Sequence, residues 1–198
     1  MKLGILLSGR GSNFEAIAQN VLTGKLKAEI RIVFSNKPNA PGLVLARKLG
    51  FKAEVLEMTG LDRTAYDQKV ASLLLDNGVE LVCLAGYMRI LSGAFVSKFP
   101  NHILNIHPSL LPAFPGLDAQ HQALAHGVKV TGCTVHFVDD GLDSGPILLQ
   151  APVPVSDDDT VETLSHRILI EEHRLYSEAI AWVVRGNFKI VDRRVIKT

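Results

Sequence analysis

The chain has 198 residues, of which 47% are hydrophobic and 21% are charged, proportions typical of a globular protein rather than a disordered one. Its formal net charge is +1 and its Lys and Arg residues are scattered, so we expect no nucleic-acid partner, since such proteins carry a basic patch. No stretch resembles a secretory signal or reaches the length of a membrane span. We therefore expect a cytoplasmic protein in which Cys83 and Cys133 are reduced core thiols.

The first half of the chain alternates strand and helix patterns. An apolar run at 2–7 ends in a glycine-containing loop at 8–13, and apolar residues then recur at helical spacing as far as Leu22. The alternation continues, with strands predicted at 30–34, 53–56, 81–85 and 103–106, and helices at 43–49 and after the capping residue Asp62. Such βαβ units predict a mostly parallel sheet with helices on both faces.

The second half has a different pattern. Two β-like runs, at 130–138 and 147–155, flank a turn-rich segment at 139–146, and the tail at 188–195 is predicted to form a hairpin. A long helix is predicted from about 160 to 185. Its start, Asp159-Thr160-Val161-Glu162, resembles a capping box, and the three aspartates at 157–159 are interpreted as a solvated helix start. No linker separates the halves, so we predict one domain over 1–198.

The loop at 8–13 joins the first predicted strand to the first predicted helix. Its two glycines let the backbone approach a ligand closely, and the amides of Gly11, Ser12 and Asn13 would face an anion at the helix N-terminus. A plain turn capped by Ser12 or Asn13 is the alternative. Phe14 stands where a dinucleotide fingerprint needs a small residue, and the Gly-Lys-Ser/Thr of a P-loop is absent. The loop therefore suits a single phosphate group best.

Asn105 and His107 end the fifth predicted strand. Side chains two apart in a strand point to the same face, and Pro108 biases His107 toward an extended backbone. Ligands of open α/β sheets lie beyond the carboxyl ends of the strands, so these side chains and the glycine loop can share one crevice. Asp143, in a glycine-rich loop, could orient the imidazole and favour its cationic form, while the amide of Asn105 could stabilise an oxyanion. The set suits acyl transfer without a covalent enzyme intermediate.

Each of these residues also has a simpler interpretation. A lone Asn is commonly a turn residue, a lone His a surface or hydrogen-bonded core residue, and an Asp in a glycine-rich loop part of the turn. A metal site built from His107, His121, His136 and Asp143 is a further alternative, but no His-x-His or His-Glu-x-x-His spacing supports it. We predict no metal.

Glu172 falls in the middle of the apolar stripe of the long predicted helix, which runs from Val161 to Val183. A carboxylate on an apolar face needs a partner, because burying it alone is costly. It either pairs with a nearby Arg or accepts hydrogen bonds from substrate hydroxyls or an amine.

Taken in order, these landmarks resemble the phosphoribosylglycinamide formyltransferases, and the matching pieces cover nearly the whole chain. They are the segments at 8–13, 33–36, 84–92, 104–112, 114–116, 134–138 and 142–146, and the pair Glu172-His173. The motif at 104–112 with the later Asp is shared by methionyl-tRNA formyltransferases and formyltetrahydrofolate hydrolases. Because the chain has no counterpart of the C-terminal domain of the former or the N-terminal regulatory domain of the latter, and because the loop at 8–13 matches, the resemblance favours the transformylases.

The resemblance implies a Rossmann-like doubly wound α/β fold, with a mostly parallel sheet, antiparallel C-terminal strands and a long C-terminal helix. It implies a phosphate-binding N-terminal half and a folate-binding C-terminal half. The implied catalytic residues are Asn105, His107 and Asp143. The implied substrate contacts are Gly11, Ser12, Asn13 and Glu172, and the implied folate contacts are Arg63, Met88, Arg89, Ile90, Leu91, Asn105, Val138, Asp139, Asp140 and Asp143. Leu169 replaces a residue that is usually polar, and Asp118 replaces a His of some members, which argues against a catalytic role there.

The implied reaction moves the formyl group of 10-formyltetrahydrofolate, a co-substrate, to the amine of 5′-phosphoribosylglycinamide. We expect small-molecule substrates, no nucleic acid or membrane partner, and a monomer or a weak homodimer. A formyltetrahydrofolate hydrolase and a non-catalytic nucleotide-binding module are the two alternatives.

Overall fold

A computed structural model describes all residues from Met1 to Thr198. The chain divides into two compact units, Met1–Asn105 and Ile106–Thr198. None of its helices is long and apolar enough to cross a membrane.

The first unit alternates strands with helices, as the sequence predicts. Its strands are β1 (Lys2–Leu7), β2 (Glu29–Ser35), β3 (Ala53–Val55), β4 (Leu81–Leu84) and β5 (Ile103–His107), the last of which continues across the unit boundary. Its helices are α1 (Ser12–Leu22), α2 (Pro41–Lys48), α3 (Arg63–Asp76) and α4 (Gly93–Val96). The strands lie in the order β3-β2-β1-β4-β5 and all pair in parallel, which confirms the βαβ prediction.

The central parallel strands β1 and β4 are almost entirely apolar and buried, because little of either face of the sheet meets water there. In β1, Leu3, Ile5, Leu6 and Leu7 are fully buried. The strand register places Leu6 beside Leu84, and Leu84 beside Asn105. The loop after β1, the loop after β4 and Asn105 therefore meet at one edge of the sheet.

The second unit holds the antiparallel strands and the long helix, and the family fold predicted both features. Its strands are β6 (Val130–Phe137), β7 (Ile147–Pro154), β8 (Phe188–Val191) and β9 (Arg194–Lys197), and its helices are α5 (Ala119–Ala125) and α6 (Val161–Arg185). β6 pairs with β7, and β8 with β9, in antiparallel fashion. The predicted tail hairpin is thus confirmed. Periodicity did not reveal α4 or α5, since both span at most seven residues.

The start of α6 differs from its prediction. Thr160 is the N-cap, and Thr160 and Thr163 exchange hydrogen bonds as a capping box, so the box lies one residue later than Asp159–Glu162. Asp159 is not simply solvated, because its carboxylate accepts from Ser156 N and from the Arg167 guanidinium. Val161 is exposed, and the apolar stripe begins instead at Leu164.

Candidate active site

The loop between β1 and α1 is shaped by Gly11. This residue is the N-cap of α1 and has a φ of 81°, in the left-handed region that favours glycine. A Cβ at Gly11 would lie 3.0 Å from Gly42 Cα, and Gly42 N donates to Gly9 O at 3.1 Å. The loop is thus packed against the first turn of α2, where a side chain would not fit.

No side chain caps the N-terminus of α1. The alternative in which Ser12 or Asn13 caps the helix is therefore wrong. The Gly11 carbonyl accepts from Glu15 N at 2.8 Å, and the main-chain N–H groups of the first helical turn point back toward the loop, as in any α-helix. This is the geometry that binds an anion at a helix N-terminus.

His107 and Asp143 lie together in the second unit. Nδ1 of His107 is 3.4 Å from Oδ2 of Asp143, and both side chains are almost fully buried. Asn105 precedes His107 by two residues in β5, so both side chains project to the same side of that strand. Asn105 is only half-buried.

The other ring nitrogen of His107 is also engaged. Nε2 lies 2.8 Å from the Phe114 carbonyl oxygen, and a carbonyl can only accept, so Nε2 carries a proton. Nδ1 then faces a carboxylate at a distance longer than a charge-assisted hydrogen bond. A doubly protonated imidazole would donate on both sides. Phe114 reaches this position with a φ of 53°, and residue-by-residue inspection of the sequence does not reveal its backbone role.

Asp143 is held by a main-chain group of the loop that follows β5. Its Oδ2 accepts from Gly116 N at 2.8 Å, and its φ is 49°. Farther along, a Cβ on Gly145 would lie 1.8 Å from the Phe137 carbonyl oxygen, so only glycine lets the loop return to β6 there. Asp139 stabilises the turn, because its Oδ1 accepts from Gly141 N and from the Ser144 hydroxyl. Val138 is half-buried and Asp140 is exposed.

A second buried histidine, His136, lies on the other side of Asp143. Its Nε2 is 3.7 Å from Asp143 Oδ1, and its Nδ1 is 2.9 Å from the Phe137 carbonyl. Burial lowers the pKa of His136, which favours the neutral imidazole. The sequence suggested His136 only as one of four alternative metal ligands. His121, another of the four, is exposed, and no group of three His, Cys, Asp or Glu side chains is arranged to hold a metal ion.

Glu172 is buried on α6, as its place in the apolar stripe predicts. Glu172 also affects the neighbouring Cys133. Burial is the main cause, and the negative charge of Glu172 the second, that raises the pKa of the Cys133 thiol to about 12. Leu169, one turn earlier, is half-buried.

The folate-side residues predicted in the first unit follow β4 or begin α3. Met88 and Ile90 are exposed, while the Arg89 guanidinium lies 4.5 Å from the ring centroid of Tyr66. The Arg63 guanidinium donates to the Leu91 carbonyl at 2.5 Å. Arg63 thus contacts the segment at 88–91, which contains the other four of these residues.

The family model described as formyl transferase matches residues 1–180. The chain belongs to the formyl transferase family. This confirms the relationship that its sequence motifs indicate.

Among the relatives of this formyl transferase chain, the phosphoribosylglycinamide formyltransferase of Escherichia coli (strain K12) is 44% identical over 191 residues, which cover 96% of this chain and 90% of the relative. The crystal structure of glycinamide ribonucleotide transformylase 1 from Symbiobacterium toebii is 52% identical, with a TM-score of 0.98, and the match covers 100% of this chain and 93% of that one. The fold prediction is thereby confirmed.

Another relative is much longer. The trifunctional purine biosynthetic protein adenosine-3 of Gallus gallus is 46% identical over 191 residues, but the match covers only 19% of that protein. The formyl transferase chain corresponds to one segment of it.

Proposed function

We propose that this chain transfers the formyl group of 10-formyltetrahydrofolate to the amine of 5′-phosphoribosylglycinamide. The products are 5′-phosphoribosyl-N-formylglycinamide and tetrahydrofolate, in purine biosynthesis. The observation that carries the proposal is the buried His107–Asp143 pair in a chain of the formyl transferase family. His107 follows Asn105 by two residues in β5. Relatives that it covers almost end to end bear the name of this activity.

The glycine loop supports a phosphate-bearing substrate. The amides at the start of α1 suit one phosphate group, and no side chain caps that end of the helix. We assign the substrate phosphate to Gly11, Ser12 and Asn13. Glu172, whose buried carboxylate can accept hydrogen bonds, is assigned to the ribose or glycinamide portion.

The folate co-substrate is assigned to the segment at 88–91, Arg63 and the loop at 138–143. The exposed side chains of Met88 and Ile90 offer apolar contact to a flat ring. The main-chain N–H and C=O groups of Arg89 and Ile90 form no hydrogen bond within the chain, so they can pair with a polar heterocycle edge. These features fit the co-substrate.

The reaction follows as a direct transfer. The glycinamide amine attacks the formyl carbon, forming a C–N bond, and the bond between that carbon and folate N10 then breaks. Asn105 donates its amide N–H to the developing oxyanion. His107 keeps its Nε2–H on the Phe114 carbonyl. Its Nδ1–H, whose nitrogen is 3.4 Å from Asp143 Oδ2, is therefore the donor left for the oxyanion. Asp143 accepts the amine proton through water and returns it to N10.

The decisive experiment mixes the purified chain with both substrates and follows folate absorbance. We expect the change that accompanies formyl loss only when both are present, with formylated product identified by mass spectrometry. Formyl release at the same rate without the amine would identify a hydrolase. Ligand binding without any formyl transfer would leave a non-catalytic binding module.

We further infer that the protein works in the cytoplasm on these small molecules, without nucleic acid, as a monomer or a weak homodimer. Sedimentation at several protein concentrations tests the last point.

A further inference from the structure

The segment between β4 and α4, residues 88–92, has no regular secondary structure, yet side chains from other elements bind both of its ends. At the first end, the Ser8 hydroxyl accepts from Met88 N at 2.8 Å and donates to Asn36 Oδ1 at 2.6 Å. Ser8 N in turn donates to the Gly86 carbonyl at 3.0 Å. The end of β1 thus fixes where the segment begins.

At the other end, α3 supplies the anchors. Asp67, which is 1% exposed, accepts from Ser92 N at 2.7 Å, and its Oδ1 lies 3.9 Å from the Arg89 guanidinium. That guanidinium also covers the Tyr66 ring, and Arg63 binds the Leu91 carbonyl. Residues 63, 66 and 67 share one face of the helix because they are three and four positions apart.

A carboxylate buried on a helix face is costly unless it is paired and hydrogen-bonded. Replacing Asp67 alone by an apolar residue would leave the Ser92 amide and the Arg89 guanidinium without this acceptor. The partners of Asp67 are Ser92 and Arg89, both in the segment. What Asp67 contributes is therefore the position of the segment.

Between the anchored ends, the main-chain polar groups of Arg89 and Ile90 form no hydrogen bond within the chain. Fixing both ends sets the direction of these groups before a ligand arrives, which lowers the ordering cost of binding. We propose that Ser8 and Asp67 are positioning residues that preorganise 88–92 for the folate co-substrate. This rests on the proposed function.

The test compares Asp67→Ala, Asp67→Asn and Ser8→Ala with the wild-type chain, using tetrahydrofolate as the probe in titration calorimetry. Asp67→Ala leaves the buried Ser92 amide without its acceptor, and we expect the Kd for tetrahydrofolate to rise about 10-fold or more. Ser8→Ala should act in the same direction through Met88. Asp67→Asn keeps an acceptor for Ser92 but loses the charge facing Arg89, so it should give a smaller rise.

The matched control is Gln68→Ala, which alters the adjacent, exposed position of α3 and should bind tetrahydrofolate as the wild type does. A positioning role also predicts a split in the kinetics: KM for the folate substrate rises in Asp67→Asn, while kcat and KM for phosphoribosylglycinamide change less than about twofold. If Asp67 only stabilised the fold, its replacement would lower the melting temperature without raising KM for the folate substrate selectively. Asp67→Asn would then bind tetrahydrofolate no better than Asp67→Ala.

The outcomes separate the two proposals. If the wild type binds tetrahydrofolate and transfers the formyl group, but Asp67→Asn and Ser8→Ala bind tetrahydrofolate unchanged, the positioning role is wrong and the function stands. If Asp67→Ala does not fold, the tetrahydrofolate affinities of Asp67→Asn and Ser8→Ala test the positioning role. If the wild type neither binds tetrahydrofolate nor transfers a formyl group, both proposals fail.

Discussion

Asp143 adopts a backbone conformation that few aspartates adopt, with a φ of 49°. The left-handed region costs a non-glycine residue roughly 1 kcal/mol or more. Here the conformation directs the carboxylate to the Gly116 amide and to His107. An outlier held in place by such contacts is typical of a functional site.

We predict that Asp143→Asn will reduce turnover by about 10²-fold or more, because the negative charge beside His107 is lost and the proton acceptor is removed. The amide oxygen can still accept from Gly116 N, so the melting temperature should change little. Steady-state kinetics and calorimetry measure the two effects.

The control for Asp143→Asn is Asp158→Asn, at an exposed position before α6. Turnover of Asp143→Asn within threefold of the wild type would remove Asp143 from the mechanism. His107→Ala should likewise lower turnover far more than it weakens binding of the phosphate substrate.

At the scale of elements, the joint of β1 and α1 depends on one glycine conformation. Gly11 and Gly24 both have positive φ, at 81° and 73°, but a Cβ would touch Gly42 at position 11 and nothing within 4 Å at position 24. The two positions therefore form a matched pair for testing the loop.

We predict that Gly24→Ala lowers stability by about 1 kcal/mol, since it places a side chain in the left-handed region, and that Gly11→Ala lowers it more, because its Cβ would also crowd Gly42 Cα. Only Gly11→Ala should also raise the Kd for phosphoribosylglycinamide, by about 10-fold or more, because the displaced loop no longer directs its amides at the phosphate. Calorimetric titration of both variants measures this. Equal affinities would contradict a phosphate role for the loop.

The start of α6 carries a second test at this scale. Hydrogen bonds from Arg167, and then from Ser156 N, lower the pKa of Asp159 to about 2, from an ordinary value of 3.8. Because the folded-state pKa is depressed, the stabilisation is fully present above pH 3.8 and is lost as the pH falls through about 2.

We accordingly predict that Asp159→Asn lowers the melting temperature at pH 7, and that its difference from the wild type shrinks between about pH 4 and pH 2. Thermal scans across this range, with Asp158→Asn as the control, follow the difference. A gap that stayed constant down to pH 2 would show that the charge of Asp159 does not stabilise the helix start.

At the scale of the molecule, each unit contains one buried thiol. Cys83 in β4 and Cys133 in β6 are both fully buried, and neither forms a disulfide. Burial raises the pKa of Cys133 to about 12, and the thiolate is the reactive form. The rate at which a reagent modifies each thiol therefore shows whether the unit that buries it opens.

We predict that iodoacetamide at pH 8 modifies neither cysteine in the native protein and both in concentrated urea, as mass spectrometry of the digested protein would show. Since folding raises the pKa of Cys133 from 9.0 to about 12, its contribution to stability is complete below about pH 9 and is lost as the pH rises toward about 12. Rapid native labelling at one cysteine would show that its unit opens locally.

The sequence predicted the strands and the longer helices well but missed two short helices. Enough apolar residues recur in the strands at 2–7 and 103–106 and in the long helix to predict them from the sequence. Each lies within a residue or two of its predicted bounds. The helices α4 and α5 contain too few residues to show a period. The capping box starts at Thr160 rather than Asp159, whose carboxylate instead accepts from the Arg167 guanidinium, about two turns along the helix.

Part of the candidate site could be predicted from the sequence and part could not. Asn105, His107 and Asp143 could be named from residue type and motif, and their catalytic roles remain predictions. The Phe114 carbonyl and the Gly116 amide are main-chain groups, which every residue possesses, so no letter of the sequence distinguishes them. Asp67 sits in an ordinary helical pattern, and only the approach of Ser92 shows why it is buried.

By itself, the sequence determined the alternation of strands and helices, the glycine loop, the isolated acid on the apolar face of α6 and the family, because each is written in local periodicity or in the order of motifs. Only the tertiary structure decided that both ring nitrogens of His107 face acceptors, and that α3 and β1 hold the segment at 88–92. These depend on which distant main-chain groups come within hydrogen-bond distance, and the packing of the elements sets those distances.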